Sequence, residues 1–215
     1  MIASPCFPAR FLRTLRRNAA GVAMTEFAFA LPIFVMLLLG GLEITNLTMA
    51  HMRVSQIAIT VADNAGRVRT GIDEADIYEV FSGADTVGQS LDFAANGRLV
   101  LSSLEPNGQT GHGSGQMINW QRCYGVLAVD PAYGRQDAGR TNSSLSAGMG
   151  PPSKRIRAAQ GTAVMFVEVT YRYTPLVFES ILGESRDMRY ESAFNVRERT
   201  NQNITNTANL AVKAC

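Results

Sequence analysis

The chain has 215 residues, of which 46% are apolar and 18% are charged, and its formal net charge is +2. These values are ordinary for one folded domain with a small appendage, and they exclude a collagen-like, coiled-coil or wholly disordered chain. Because the charge gives no overall basic surface, we expect no nucleic-acid partner.

The positive charge is concentrated at the N-terminus. Four arginines precede the first acidic residue, Glu26, and they are Arg10, Arg13, Arg16 and Arg17. Without residues 1–21 the chain would carry 16 basic and 18 acidic residues, a net charge of −2. The basicity therefore belongs to a leader formed by residues 1–21.

A long apolar segment follows the leader. Phe27 to Leu42 are sixteen residues without a charge, and as a helix they would span about 24 Å of a hydrocarbon layer that is roughly 30 Å thick. Apolar residues on both sides extend the segment, so we predict a transmembrane helix over residues 22–50. The arginines on its N-terminal side predict a cytoplasmic leader and export of the rest of the chain.

Two ordinary alternatives exist for this segment. A secretory signal peptide should end its apolar run with a small-x-small cleavage site, but the Ala28-Phe29-Ala30 triplet begins the run instead of closing it. The other alternative is a plain membrane anchor in which the nearby acid has no role.

Glu26 favours a more specific interpretation. A carboxylate near the edge of an apolar helix costs free energy and is usually retained for a partner. Cleavage after Gly21 would create an ammonium group on Val22, at i to i+4 spacing from Glu26. That ammonium could pair with Glu26 of its own chain or, better, with Glu26 of a neighbouring subunit displaced along an axis.

The same residues carry a resemblance to a known family. A basic leader, Gly21 at the cut, an acid at the fifth mature position and an apolar helix directly afterwards resemble the class III signal of type IV pilins. The version found here is similar to the TadE-like (TadE/TadG-like) minor pseudopilins of tight-adherence pili, the Tad, Flp or type IVc system. It consists of Arg16-Arg17-Asn18-Ala19-Ala20-Gly21, Thr25-Glu26-Phe27-Ala28 and Leu31-Pro32.

The resemblance implies a set of partners and a processing step. A membrane-embedded prepilin peptidase would cut between Gly21 and Val22 on the cytoplasmic face. The mature protein would then contact other Tad pilins and pseudopilins, the inner-membrane assembly platform and membrane lipid.

Pro32 interrupts the hydrogen bonding of the predicted helix, because it has no backbone N–H. Such prolines are tolerated in lipid when neighbouring groups satisfy the freed carbonyl. Pro32 is either a harmless kink near the cytoplasmic edge or, as pilin helices that loosen during assembly suggest, a hinge.

An amphipathic stripe follows the membrane segment and predicts a stalk helix over residues 51–70. Its apolar positions recur at intervals of three and four, and they are Val54, Ile57, Ala58, Val61, Ala62, Ala65 and Val68. We expect this face to pack on the protein's own domain. His51 stands alone at the junction and is interpreted as an interfacial polar residue.

Residues 71–215 are predicted to form an exported α+β domain. Asp73 is a candidate N-cap for a short helix, in keeping with the acids that follow it, and a second helical piece is expected over 86–95. Strands are predicted at 98–104, 117–129, 162–174 and 188–198. Four strands with hairpin-like links imply an antiparallel sheet of about four strands, with the stalk helix covering one face, as in a pilin.

Residues 130–160 lack periodicity and are predicted to form a long surface loop. This loop contains a short basic run of Lys154, Arg155 and Arg157. For that run, a solvated loop is favoured over a docking patch.

Three cysteines are present, and Cys6 would be lost with the leader. Cys123 and Cys215 would then remain in an oxidising compartment, where pairing is favoured. We predict a disulfide between them that closes a loop of about ninety residues. The alternative is two separate buried thiols.

The sequence offers little catalytic chemistry. His51 and His112 belong to no metal-ligand spacing, and no nucleophile or phosphate-binding motif occurs. We therefore predict no catalytic residues, no metal, no cofactor and no enzymatic activity.

The sequence as a whole predicts a minor pilin-like subunit that takes part in Tad/Flp pilus assembly and adhesion. It would cross the inner membrane once, with its N-terminus in the cytoplasm and its C-terminal domain in the periplasm or outside the cell. A membrane-anchored periplasmic binding or sensing domain that does not polymerise is the first alternative. An exported enzyme is the second.

Overall fold

The structure is a computed structural model that describes residues 20–177 and 185–215. The chain divides into two compact units, the first ending at Thr45 and the second spanning Asn46–Cys215. We call the second the C-terminal unit. The predicted leader arginines, Arg10, Arg13, Arg16 and Arg17, lie outside the described residues, as does Cys6.

The described helices and strands follow one another in a simple order. They are α1 (Ala20–Arg67), β1 (Ile72–Asp73), α2 (Glu74–Gly88), α3 (Phe93–Asn96), β2 (Gly97–Pro106), β3 (Gln116–Tyr124), β4 (Val164–Tyr173), β5 (Arg186–Asn195) and β6 (Ile204–Thr205). Single turns of 3-10 helix occur at Gln89–Leu91 and Gly111–Gly113. The prediction of a long helix followed by an α+β domain is confirmed.

Strands β2 to β5 form one four-stranded sheet in the order β3-β2-β4-β5, and all three pairings are antiparallel. The sheet agrees with the four strands predicted. β1 and β6 form a separate parallel pair through Ile72 with Ile204 and Asp73 with Thr205. Sequence patterns did not indicate that pair, because two residues are too few to show a period.

The core lies on both faces of the sheet, because successive side chains of a strand point to opposite sides. Met165, Val167 and Val169 of β4 face a cluster that contains α2 and the C-terminal part of α1. That part contributes the buried stripe residues Val54, Ile57, Ala58, Val61, Ala62 and Ala65. The predicted packing of the stripe on the protein's own domain is therefore confirmed.

The opposite face of the sheet is covered by the long loop. Phe166 of β4 packs in a second cluster with Leu145 and Met149, which come from the region predicted as a surface loop. The region has no regular strand or helix, but part of it is buried. It therefore acts as the second covering layer of the sheet.

The largest differences from the prediction are the end of β3 and the helix expected over 86–95, while α1 ends at Arg67 rather than residue 70 and β5 spans Arg186–Asn195 rather than 188–198. β3 ends at Tyr124 rather than near residue 129, because Gly125 adopts φ +87° and a Cβ there would lie 2.2 Å from the carbonyl oxygen of Gly97. The helix expected over 86–95 is instead split between α2 and α3. Asp92, with φ 47°, separates the two pieces.

Candidate functional site

The predicted cleavage site lies in the first turn of the described helix α1. Gly21 has no atom within 4 Å of the position where a Cβ would stand, so the described fold does not require a glycine there. The side chain of Val22 is 56% exposed. The hydroxyl of Thr25 donates a hydrogen bond to the carbonyl oxygen of Val22 at 2.8 Å. This bond does not involve the backbone nitrogen of Val22, which cleavage would convert to an ammonium group.

Glu26 lies one helical turn after Val22 on the same helix. Its side chain is exposed. Within residues 20–177 and 185–215, no group forms a hydrogen bond or ion pair with its carboxylate. The carboxylate is thus available to an amine from elsewhere, and its i to i+4 spacing to Val22 agrees with the sequence-based expectation.

Large apolar side chains follow Glu26 along α1, and the described residues do not cover them. Their exposed fractions run from 41% to 79%, and they are Phe27, Phe29, Leu31, Ile33, Phe34, Val35, Met36, Leu37 and Leu38. The most apolar 18-residue window of α1 has a mean hydropathy of 2.2, and only 6% of it is buried. α1 is therefore long and apolar enough for single-pass membrane anchoring, whereas the core helix of a soluble protein would be mostly buried.

Pro32 lies inside α1, where it can neither donate a backbone hydrogen bond nor fit without crowding the preceding turn. The helix nevertheless continues through it to Arg67. The choice between kink and hinge stays a prediction.

The C-terminal tail is fixed to the C-terminal unit at several points. A disulfide joins Cys123 of β3 to Cys215, which is 92 residues further along the chain, so the predicted disulfide is present. The amide of Cys123 donates to the carbonyl of Lys213 at 2.7 Å, and the indole N–H of Trp120 donates to the carbonyl of Gln202 at 3.0 Å. The tail therefore runs beside β3 and closes that edge of the sheet.

Asp73 performs the capping role that was predicted for it. Its carboxylate accepts hydrogen bonds from the backbone N–H groups of Ala75 and Thr207 and from the hydroxyl of Thr205. These bonds, of which that from the Thr207 backbone contributes most to the shift, lower the pKa of Asp73 to about 2. Asp73 thus joins the start of α2 to the tail.

A buried ion pair was missed by the sequence analysis. Arg122 donates from Nε to Oε1 of Glu74 at 2.8 Å, and its Nη2 donates to the same oxygen. The exposed fractions of the two side chains are 7% and 2%. The acids after Asp73 had been interpreted as a helix start, and nothing in their spacing indicates a partner 48 residues away.

Few of the described residues suggest catalysis. No group of three or more His, Cys, Asp or Glu side chains in the described parts of the chain could hold a metal ion. His51 is used in packing, since its Nδ1 lies 2.9 Å from the hydroxyl of Tyr190. His112 is exposed in the 3-10 turn Gly111–Gly113.

These features define a class of protein in which an exposed apolar helix with an acid near its start leads into an α+β unit. Residues 21–63 match the family model described as TadE-like protein. The TadE-like resemblance is thus confirmed for α1, and it associates the chain with Tad pili and their components. Neither the curated proteins nor the solved structures provide a match.

Proposed function

We propose that this protein is a minor pilin-like subunit of a Tad pilus. Prepilin peptidase would cut between Gly21 and Val22, and the mature chain would be incorporated through the new ammonium of Val22 and the carboxylate of Glu26. The observation that carries the proposal is Glu26, which is exposed and has no partner among the described residues, one turn after Val22 in the TadE-like helix.

Electrostatics support a partner for Glu26. An acidic residue at the centre of a membrane helix costs about 3 kcal/mol on insertion scales, and the cost falls toward the edge. Cleavage would place Glu26 near a new helix N-terminus, where the helix dipole favours negative charge. An ammonium group from a neighbouring subunit would offset the remaining free-energy cost of the Glu26 carboxylate. The assembled subunits would therefore be favoured over the isolated chain.

The cleavage step is supported by Gly21. Gly21 lies in the first turn of α1, and the described fold gives no steric reason for a glycine there or at Gly40 and Gly41. Cleavage would give Gly21 a role of its own, as the residue without a side chain that the peptidase requires. The arginine-rich leader would hold this bond on the cytoplasmic face.

The size of the C-terminal unit bears on the role that this protein would have within the pilus. A major Flp pilin is little more than its helix, whereas this chain carries a further unit from Asn46 to Cys215. A priming, tip or assembly role fits that size, with the C-terminal unit exported and the leader in the cytoplasm. We expect no catalytic activity from it.

The experiment compares Glu26→Gln with Glu26→Asp in cells that carry a Tad machinery. Glu26→Gln removes the charge at nearly constant size, and we expect about a tenfold or greater loss from sheared pili or from assembly complexes while processing continues. Glu26→Asp keeps the charge and should retain part of the incorporation. Unchanged incorporation of Glu26→Gln, or failure of the unaltered protein to join any assembly, would contradict the proposal.

A further inference from the structure

The two edge strands of the four-stranded sheet differ in the backbone hydrogen bonds that they form outside the sheet. At the β3 edge, Ile118 exchanges backbone hydrogen bonds with Ala138 and Asp137 at 2.9 Å, and Cys123 bonds Lys213. At the β5 edge, no described backbone group outside the sheet pairs with the segment from Arg189 to Ala193. An edge strand with unpaired N–H and C=O groups is a template for an added strand.

An open groove of about 600 Å³ lies along the β5 edge, and we call it the edge groove. Five consecutive residues of β5, from Arg189 to Ala193, line it. Because side chains of a strand alternate between faces, two of these five residues direct their side chains to the opposite face. Backbone atoms of β5 therefore form part of the wall of the edge groove.

The other wall of the edge groove comes from the long loop and has an apolar floor. Phe166 of β4 forms part of the floor, and Gly150, Pro151 and Ile156 form part of the loop wall. An extended chain beside β5 would direct every second side chain toward this floor.

Tyr133 in the edge groove is not available for stacking on a flat ligand. The guanidinium carbons of Arg155 and Arg189 each lie 5.7 Å from the centre of its ring, and its hydroxyl donates to Glu191 at 2.9 Å. A sugar or nucleobase would have to displace these contacts. The occupant is therefore better described by hydrogen bonding and charge than by ring stacking.

The charges around the edge groove leave a positive surplus. Both acids beside it are already paired with Arg189, at 2.8 Å for Glu168 and 2.6 Å for Glu191. Lys154 and Arg155 are exposed, and neither forms an ion pair with any residue that the structure describes. Arg189 is one cation shared by two acids, so the three basic residues and two acidic residues named here leave a net charge of +1, which complements an acidic partner.

We propose that the edge groove binds an extended, acidic segment of a partner polypeptide, which adds as a fifth strand beside β5 and directs carboxylates toward Lys154. The main-chain bonds to β5 would provide affinity, and the apolar floor with its cationic rim would provide the preference for acidic side chains with an aliphatic stem. This assigns a docking role to one member, Lys154, of the basic run that the sequence analysis interpreted as a solvated loop. The proposal is independent of Glu26 and of pilus assembly.

The test uses the full chain in detergent micelles and a fluorescent heptapeptide in which glutamate and valine alternate. A peptide with lysine in place of glutamate is the reference ligand. We expect saturable binding of the acidic peptide, weaker by about tenfold for the basic one. Amide hydrogen exchange should show protection of Arg189 to Ala193 when the acidic peptide is bound. Binding without that protection would contradict strand addition.

A matched pair of variants separates the edge groove from general attraction to a basic loop. Lys154→Glu reverses a charge on the rim and should weaken binding of the acidic peptide about five- to tenfold, because one attraction becomes a repulsion. Arg157→Glu makes the same change in the same loop at an exposed residue that does not line the groove, and it should have little effect. Equal effects of the two variants, equal binding of the two peptides, or no binding of the acidic peptide up to about millimolar concentration would each overturn the proposal.

Discussion

Glu26 and Glu74 show how differently the two regions of the molecule satisfy an acid. Glu74 lies in the C-terminal unit, is almost completely buried and bonds Arg122 of the same chain. Glu26 lies in the apolar part of α1, is exposed, and has no partner among the described residues. The C-terminal unit supplies a partner for its buried acid, whereas the N-terminal part of α1 presents apolar surface and one charge to its surroundings.

This difference separates stability from assembly. Changes in the C-terminal unit should alter its free energy of unfolding and leave processing after Gly21 unaffected. Changes at Glu26 should leave both the free energy of unfolding and processing unaffected and should reduce incorporation into pili or assembly complexes. Trp120 is the only tryptophan and is 2% exposed, so its fluorescence reports the unfolding of the C-terminal unit alone.

Removal of the disulfide should have the largest effect on stability. Cys215→Ser opens a loop with a sequence separation of 92, and the chain-entropy model gives a loss of about 4 to 5 kcal/mol. Urea titration of the purified protein in detergent, followed by Trp120 fluorescence, measures it. Cys6→Ser is the control, because Cys6 lies outside the C-terminal unit. An unchanged urea midpoint in Cys215→Ser would contradict a stabilising role for the disulfide between Cys123 and Cys215.

Breaking the buried ion pair should be the next most costly change. Glu74→Ala leaves the guanidinium of Arg122 buried without its carboxylate, which costs about 3 to 5 kcal/mol. Glu79→Ala removes an exposed acid from the same helix and should change the free energy of unfolding by less than about 0.5 kcal/mol.

A second variant of this pair distinguishes lost packing from an uncompensated charge. Glu74→Leu combined with Arg122→Met should recover much of the stability that Glu74→Ala loses, since apolar side chains of similar volume often replace a buried pair at little cost. If the double variant is less stable than Glu74→Ala, burial of the unpaired guanidinium is not the cause.

The smallest effect is expected at Asp73, and it should depend on pH. Its folded-state pKa of about 2 is below the ordinary value of 3.8, so the unfolded chain binds more protons between these values. The contribution of Asp73 is therefore complete above the unfolded pKa and is lost as the pH falls toward 2. Asp73→Ala should reduce the slope of unfolding free energy against pH in this window. An identical slope in both proteins would show that the Asp73 hydrogen bonds do not stabilise the fold.

The parts of this structure that follow a local period were predictable from sequence. The stripe from Val54 to Ala65 recurs at intervals of three and four, so both the helix and its buried face could be inferred. Strand β4 was predicted close to its observed bounds, Val164–Tyr173, because apolar and polar residues alternate along it. Asp73 was recognised as a cap because an acid before an apolar-periodic segment has a local role.

Features that depend on the third dimension were not predictable in the same way. Glu74 and Arg122 are separated by 48 residues, and no pattern in either segment identifies the other. The edge groove needs a strand and an aperiodic loop to lie side by side, so only the fold could reveal it. At the N-terminal end of α1 the candidate site was predictable, since Gly21, Val22 and Glu26 lie close together in the sequence.

The central claim is that proteolysis after Gly21 creates the amine that Glu26 needs. The most direct test is the intact mass of the protein isolated from the membranes of cells with and without prepilin peptidase. The account predicts a chain that begins at Val22 when the peptidase is present and a chain that keeps residues 1–21 when it is absent. Retention of residues 1–21 in both, or a chain that begins beyond the apolar part of α1, would contradict it.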